Sequence, residues 1–299
     1  MDAEALLTFL TVHRAGGFSA AADKLNRSQP AISRRIAVLE DQLAAPLFER
    51  TAAGVILSQV GQALVPHAER VLAALDDARQ AVQALRSADA GPLALAAVGT
   101  LAGPNLTTVL RRLTAEAPSV DLSLRTATSS QVSEMVRRGV ATLGIRYFED
   151  RSPDLQCHPM PPEVLVVACA PGHPLAGRAI ASLADLAEAH WLAFPRLDAH
   201  GELVAETLFA QFLVRQVAEV RWTAVDSLTA QKRLVEAGFG LALMPESGLA
   251  EERAAGTLAT IDVADLAAFN PVFAIQRRGG YLSGAAQTLL TLLTEGAAS

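Results

Sequence analysis

Cysteine is scarce in this chain. Cys157 and Cys169 are its two cysteines; they form no CxxC pair and cannot build a disulfide framework, which fits a reducing compartment. A secretory leader is not expected either, because Met1-Asp2-Ala3-Glu4 opens the sequence with acids rather than a basic stretch. Uninterrupted apolar runs of about 18 residues are missing, so no membrane span is expected and the sequence reads as a soluble cytoplasmic protein. Enzyme signatures are absent too: there is no GxSxG elbow, HExxH pair or P-loop, and Gly238 and Gly240 lack the third glycine of a dinucleotide loop. Six histidines, at positions 13, 67, 158, 173, 190 and 200, are scattered rather than clustered. Cys157 and His158 are neighbours, but in an extended segment they point to opposite faces and make a poor nucleophile and base. No enzyme, catalytic residue, metal site or cofactor is therefore expected.

What is present is a large apolar content. The 299 residues are 51% hydrophobic and 19% charged, enough for two or three folded units. The net charge of −6 is unevenly placed: residues 1–62 hold six basic and six acidic side chains, so the whole deficit falls on the rest. An N-terminal unit can thus approach phosphate while the bulk of the chain repels it.

The first 50 residues predict three short helices. Leu6, Phe9, Leu10 and His13 fall on one face, and Gly16-Gly17 breaks the chain. Ser19 is expected to cap a helix ending near Leu25, and Ser28 to cap a third, with Pro30 in its first turn and Ile32, Ile36 and Leu39 as its buried stripe. Two helices with so short a join form a helix-turn-helix. Extended runs at 47–50 and 55–57 around Ala53-Gly54 suggest a β-hairpin wing. A long helix over residues 58–87 carries Leu64, Ala68, Val71, Leu75, Ala78, Val82 and Leu85 at alternating spacings of four and three. That seam indicates a coiled-coil partner, the alternative being an ordinary helix packed on its own domain, and Pro66 should kink its first turns. Residues 88–92 form the best boundary. Beyond them strand and helix patterns alternate, which predicts parallel sheets with helical crossovers and a proline-rich hinge at 151–162.

Taken in order, Phe18-Ser19-Ala20-Ala21-Ala22, Ser28-Gln29-Pro30-Ala31-Ile32-Ser33, Leu39-Glu40, Leu47-Phe48-Glu49-Arg50 and Leu57-Ser58 to Gly61 resemble the LysR family of bacterial transcriptional regulators. The long helix is similar to that family's dimerising linker helix, and the stretch from Leu234 to Gly240 with Leu243-Met244-Pro245 is similar to a late segment of its effector domain. Ala44, Gly17 and Thr142 depart from the family pattern, where glycine, serine and aspartate are usual, and the wing residues 51–54 are poor in cations. The resemblance implies an N-terminal winged helix-turn-helix (1–62), a linker helix (63–90) and an α/β effector domain (91–299) like the periplasmic binding proteins. That domain would hold two Rossmann-like subdomains, one from 91–161 and 268–299, the other from 162–267. It further implies promoter DNA as partner, a small-molecule effector in the cleft, a homodimer and a homotetramer.

A helix entering the major groove needs polar side chains on its exposed first turns. Ser28, Gln29, Pro30, Ser33, Arg34 and Arg35 occupy that place, and Arg50 beside the wing suits a phosphate. Gln pairs with adenine and Arg with guanine; the alternative for the arginines is a solvated face. Ligands of open α/β sheets sit where strands end and helices begin. That rule selects Thr100, Thr128, Ser129 and Ser227, with Phe194, Arg196 and His200 at another rim and Arg146 near the hinge. Each hydroxyl can equally be a helix cap, and Arg146 can equally pair with an acid. Helix starts favour a small anion such as a carboxylate; the net −6 and Asp226 argue for a neutral or cationic effector as the alternative. A solute-binding or catalytic α/β protein with an unrelated helical head is the competing class.

Overall fold

The computed structural model describes residues 1–51, 54–84, 92–195 and 206–295. Its N-terminal head contains α1 (Ala3–Ala15), α2 (Phe18–Leu25) and α3 (Gln29–Leu43), then the wing strands β1 (Phe48–Thr51) and β2 (Gly54–Leu57). Asp2 caps α1 by accepting from the Ala5 N–H at 2.7 Å, and Gly16 ends it with φ 72°. Two expected caps differ. α2 starts at Phe18 after Gly17, so Ser19 lies inside its first turn, and Ser28 takes the cap position of α3 without making a capping bond. Ala44, in place of glycine, ends α3 at φ 51°.

The head's core is built from Leu6, Phe9, Leu10, Ala21, Ala22, Ile32, Ile36 and Leu39. Val12, not His13, completes the buried face of α1, because the imidazole is exposed. Phe48 closes this core from the wing, 5.5 Å from Phe9 and 5.6 Å from Phe18 between ring centres. Next comes α4 (Gln59–Ala84), which continues through Pro66. Its Leu64, Ala68 and Leu72 pack on the head. The rest of the heptad seam stands open, Val71 being 44% exposed, Leu75 40% and Val82 61%. Leu85 and the expected boundary at 88–91 lie outside the described residues.

Beyond the boundary come β3 (Pro92–Val98), α5 (Pro104–Glu116), β4 (Asp121–Ala127), α6 (Ser129–Arg137), β5 (Leu143–Tyr147) and the long β6 (Leu155–Cys169). They are followed by β7 (Ala179–Ile180), β8 (His190–Ala193), α7 (Glu206–Leu213), β9 (Arg221–Ala224), α8 (Leu228–Glu236) and β10 (Ala242–Pro245). Last are α9 (Ala250–Ala255), β11 (Ala259–Val263), β12 (Phe269–Arg277) and α10 (Gly284–Thr294). One sheet runs β4-β3-β5-β12-β6-β11-β7, with β10 also on β6, and β8 pairs with β9.

The sheet is mixed rather than parallel. β3 pairs in parallel with β4 and β5, and β8 with β9, as the β/α alternation requires. β12 runs antiparallel to both β5 and β6, and β6 antiparallel to β10 and β11. These antiparallel pairs arise because the chain crosses from the first half to the second along β6 and returns along β12. For the same reason the proline-rich hinge expected at 151–162 is largely strand: β6 starts at Leu155 and runs unbroken into the second half. Leu93, Leu95, Leu113, Leu143, Ile145 and Leu289 form the first half's main core. In the second half, Trp191 and Phe212 pack edge-on at 5.3 Å among Val167, Leu183 and Ile261.

Candidate functional site

Two surfaces concentrate the expected functional residues. On the head, α3 shows Gln29, Pro30 and Arg34 to solvent, with Ser33 and Arg35 half-buried. Gln29 donates from Nε2 to Ser33 Oγ at 2.8 Å, one helical turn away, which holds the amide over the first turns. Arg34 has no ion-pair partner among the described residues, so its guanidinium is available to a ligand. Arg35 is placed differently: it pairs with Glu4 of α1, which also lies 3.8 Å from Arg27. Ser28 is exposed beside this face. Arg50 falls on β1, and its side chain is outside what the structure describes.

The second surface lies where strand ends gather. Val98 is level with Ala127 in the parallel register, and Ala97 with Ile145, so Thr100, Thr128-Ser129 and Tyr147 emerge along one edge. Thr128 caps α6 in a reciprocal box with Gln131, its hydroxyl accepting from the Gln131 N–H at 3.4 Å. Ser129 is buried, and its Oγ accepts from the Tyr147 N–H at 3.3 Å. Ala193 is likewise level with Ala224 in the second half, which brings Phe194 and Ser227 out side by side. Ser227 caps α8, accepting from Ala230 at 3.4 Å, and Phe194 packs against the Trp191 core. Arg196 and His200 lie outside the described residues.

A hydrogen-bonded run ties these edges together. Thr100 Oγ1 and the Tyr147 hydroxyl are 2.8 Å apart, and that hydroxyl donates to Glu163 Oε2 at 2.6 Å. Ser247, just after β10, donates to Glu163 Oε1 at 3.1 Å. Burial pushes the Glu163 carboxyl up from its ordinary range, opposed in part by the Tyr147 and Ser247 bonds. Burial, and then the adjacent Glu163 charge, raise the Tyr147 phenol as well. Arg146 is occupied within its own half. Its guanidinium donates to Ser133 at 2.6 Å, to Asp150 at 2.8 Å and to the Tyr147 carbonyl at 3.0 Å. Burial alone would raise the Asp150 carboxyl, but hydrogen bonds from Ser133 and Ser152 and the Arg137 charge hold it at about 2.

Among the described residues no cluster of three or more His, Cys, Asp or Glu is placed to hold a metal ion. The Cys157 thiol is spent on the Asp150 carbonyl at 3.3 Å. The arrangement is that of two polar surfaces, one on the exposed face of a helix and one where strand ends of the two halves are linked by hydrogen bonds.

Comparison with known proteins decides the class. The sequence model of the bacterial regulatory helix-turn-helix protein, lysR family, matches residues 3–62, and that of the LysR substrate binding domain matches residues 86–298. The chain belongs to the LysR family. The transcriptional regulator GltR of Bacillus subtilis is 28% identical over 291 residues, covering 97% of this chain and 95% of its own. Full-length CbnR complexed with its target DNA has a TM-score of 0.70 at 25% identity, covering 98% of this chain and 99% of its own. Full-length OxyR from Pseudomonas aeruginosa, at 22% identity and a TM-score of 0.76, covers 98% of this chain and 94% of its own and shares the fold. This LysR-family chain is therefore a DNA-binding transcriptional regulator with an effector-binding domain, not an enzyme.

Within that regulator, sequence reasoning missed Tyr147, Glu163 and Ser247. Glu163 did leave a signal, as a lone acid between Pro161-Pro162 and the apolar run Val164-Leu165-Val166-Val167. An acid at the head of such a strand needs polar partners.

Proposed function

We propose that this regulator reads promoter DNA as a homodimer joined along the open seam of α4, and that dimers pair into a tetramer. Gln29, Ser33 and Arg34 are the base-reading set, with Ser28, Pro30 and Arg50 near the phosphates. Arg35, paired with Glu4, supports α3 instead. The protein works in the cytoplasm; among the described residues, no helix is long and apolar enough to cross a membrane.

Its effector is a small molecule bound at the strand ends that carry Thr100, Thr128 and Ser129 in the first half and Phe194 and Ser227 in the second. The run from Thr100 through Tyr147 and Glu163 to Ser247 carries this reading, because it belongs to both halves at once. Ligand entering there touches both, and differential contact is what shifts a two-state equilibrium. The starts of α6 and α8 favour a carboxylate. Glu163 favours a second reading, an effector with an amine or other donor, since a carboxylate accepts and never donates when ionised.

The test is a thermal-shift screen of the full chain with matched panels of small carboxylates and small amines, repeated on Thr100→Val and Ser129→Ala. Stabilisation by carboxylates that both variants lose supports the first reading. Stabilisation by amines alone supports the second. A shift fully retained in both variants rejects the site.

A further inference from the structure

Glu69 on α4 has an unusual position for a linker-helix acid. It is only 4% exposed, and its two oxygens face different parts of the molecule: Oε1 accepts from Arg14 of α1 at 2.8 Å, and Oε2 forms an ion pair at 2.8 Å with Arg138, just past α6, whose Nε–H donates to Glu134 at 2.7 Å. Ala73, one turn on, is buried against Gly139, where a Cβ would stand 3.0 Å from the Ala73 Cβ and where φ is +70°. Asp77, one turn further, pairs with Arg277 of β12 at 2.5 Å.

Spacings of four put Glu69, Ala73 and Asp77 on one stripe of α4. Val71, Leu75 and Val82 fall roughly 180° around the helix at about 100° per residue, so docking to the sensor leaves the seam free for a second copy. The two sensor elements that meet the stripe are revealing. α6 has Thr128 and Ser129 at its start and Arg138-Gly139 at its end. β12 has Asn270 near its start, bonded to Thr207 of α7 at 2.8 Å, and Arg277 at its end. α6 thus runs from the strand-end hydroxyls to α4, and β12 from its bond with α7 to α4.

We propose that Glu69 is the positioning residue through which the sensor and the DNA-binding head sense each other, with α6 as the lever and the Arg14–Glu69–Arg138 triad as the joint. Glu69 is the nearly buried member of the triad, with Arg14 52% and Arg138 40% exposed, and a buried carboxylate shared by one arginine of the head and one of the sensor favours one discrete seating of head on sensor. That an effector works the far end of α6 rests on the function proposed above; the joint itself does not.

Its test therefore uses DNA alone. A random-sequence duplex at low salt binds through phosphates whatever the operator is, and fluorescence anisotropy of the labelled duplex establishes that wild type and variants are saturated. Hydrogen exchange of residues 129–139 is then followed with and without duplex. In the wild type DNA should change exchange there by about threefold. Glu69→Gln and Arg138→Ala should each abolish the DNA-dependent change while still binding the duplex, and Arg138→Lys should restore it. A DNA-dependent change that persists in both Glu69→Gln and Arg138→Ala, or none in the wild type, overturns the proposal. Loss of duplex binding in the wild type would instead strike at the DNA-binding reading.

Discussion

Dimerisation along α4 can be perturbed with a magnitude set by the exposures. Val71, Leu75 and Val82 keep 44%, 40% and 61% of their surface open in the single chain. Fully burying such a side chain contributes about 1.5–3 kcal/mol, so covering the open fraction of each should contribute about 1 kcal/mol. Three such residues on each of two protomers give a gross gain of about 6 kcal/mol, before the cost of association is subtracted. Val71→Glu with Leu75→Glu removes four of those six contributions, about 4 kcal/mol, which weakens the dimer about a thousandfold. Like charges facing across the seam add to the loss. Sedimentation velocity over a dilution series should show the double variant dissociating where the parent does not. Unchanged mass and undiminished DNA binding across that series would refute the seam. Val214→Glu, an exposed sensor site outside both the seam and the DNA-binding head, serves as the control for added charge.

Five further outcomes are expected. Gln29→Ala and Arg34→Ala should each cost about 1–3 kcal/mol on a specific operator and less on random DNA, whereas Arg35→Ala should lower head stability more than base discrimination; paired gel-shift and melting measurements separate the two. Arg50→Ala should weaken all duplexes alike and flatten the dependence of binding on salt. Ala44→Gly should stabilise the head by about 1 kcal/mol, since Ala44 sits at φ 51° where a Cβ is unfavourable, and chemical denaturation reads this directly. Glu163 has a raised folded pKa, so its carboxylate costs stability above that value and the cost fades as pH falls through it. Glu163→Gln should therefore raise the melting temperature at neutral pH and lose that advantage in acid. Asp150 has the opposite sign: held at about 2, it supports the fold above its unfolded pKa near 4, and that support disappears as pH falls from there toward 2.

The head was legible because its information is local. Ile32, Ile36 and Leu39 bury one stripe of α3 as their spacing requires, and Phe18 and Phe48 close the same core. Errors there concern single side chains, such as Ser19 and His13, where two positions of similar pattern competed for one role. The sensor's alternation of strands and helices was legible from apolar content, but β7, β11 and the strand directions were not, because alternating β and α patterns look alike whether the chain advances across a sheet or returns through it. β12 follows β11 after a short turn and runs against β5 and β6. Nothing within nine residues of sequence encodes that reversal; it is set by where β6 has already carried the chain.

The same distance explains why the strand-end hydroxyls could be anticipated and their partners could not. Thr128 and Ser227 are read from a local rule, a small polar residue before a helix, and the structure uses both as caps. Glu163 and Ser247 stand 84 positions apart in sequence and meet only once the chain between them has folded. Tyr147 gives no such signal, since an aromatic residue at a strand end is ordinary core, and its hydroxyl acquires meaning only once Glu163 stands 2.6 Å away. Glu69 follows the same logic on α4: in sequence it is a solvated helix acid next to Ala68 of the seam, and its two arginines come from residues 14 and 138. The seam pattern is a periodic signal of the face proposed to meet a second copy, while the opposite stripe of Glu69, Ala73 and Asp77 has Ala73 as its apolar member and carries no periodic signal. Polar joints of this kind are recognised by burial of a charge and by the partners that offset it, quantities that exist only once both units have been brought together.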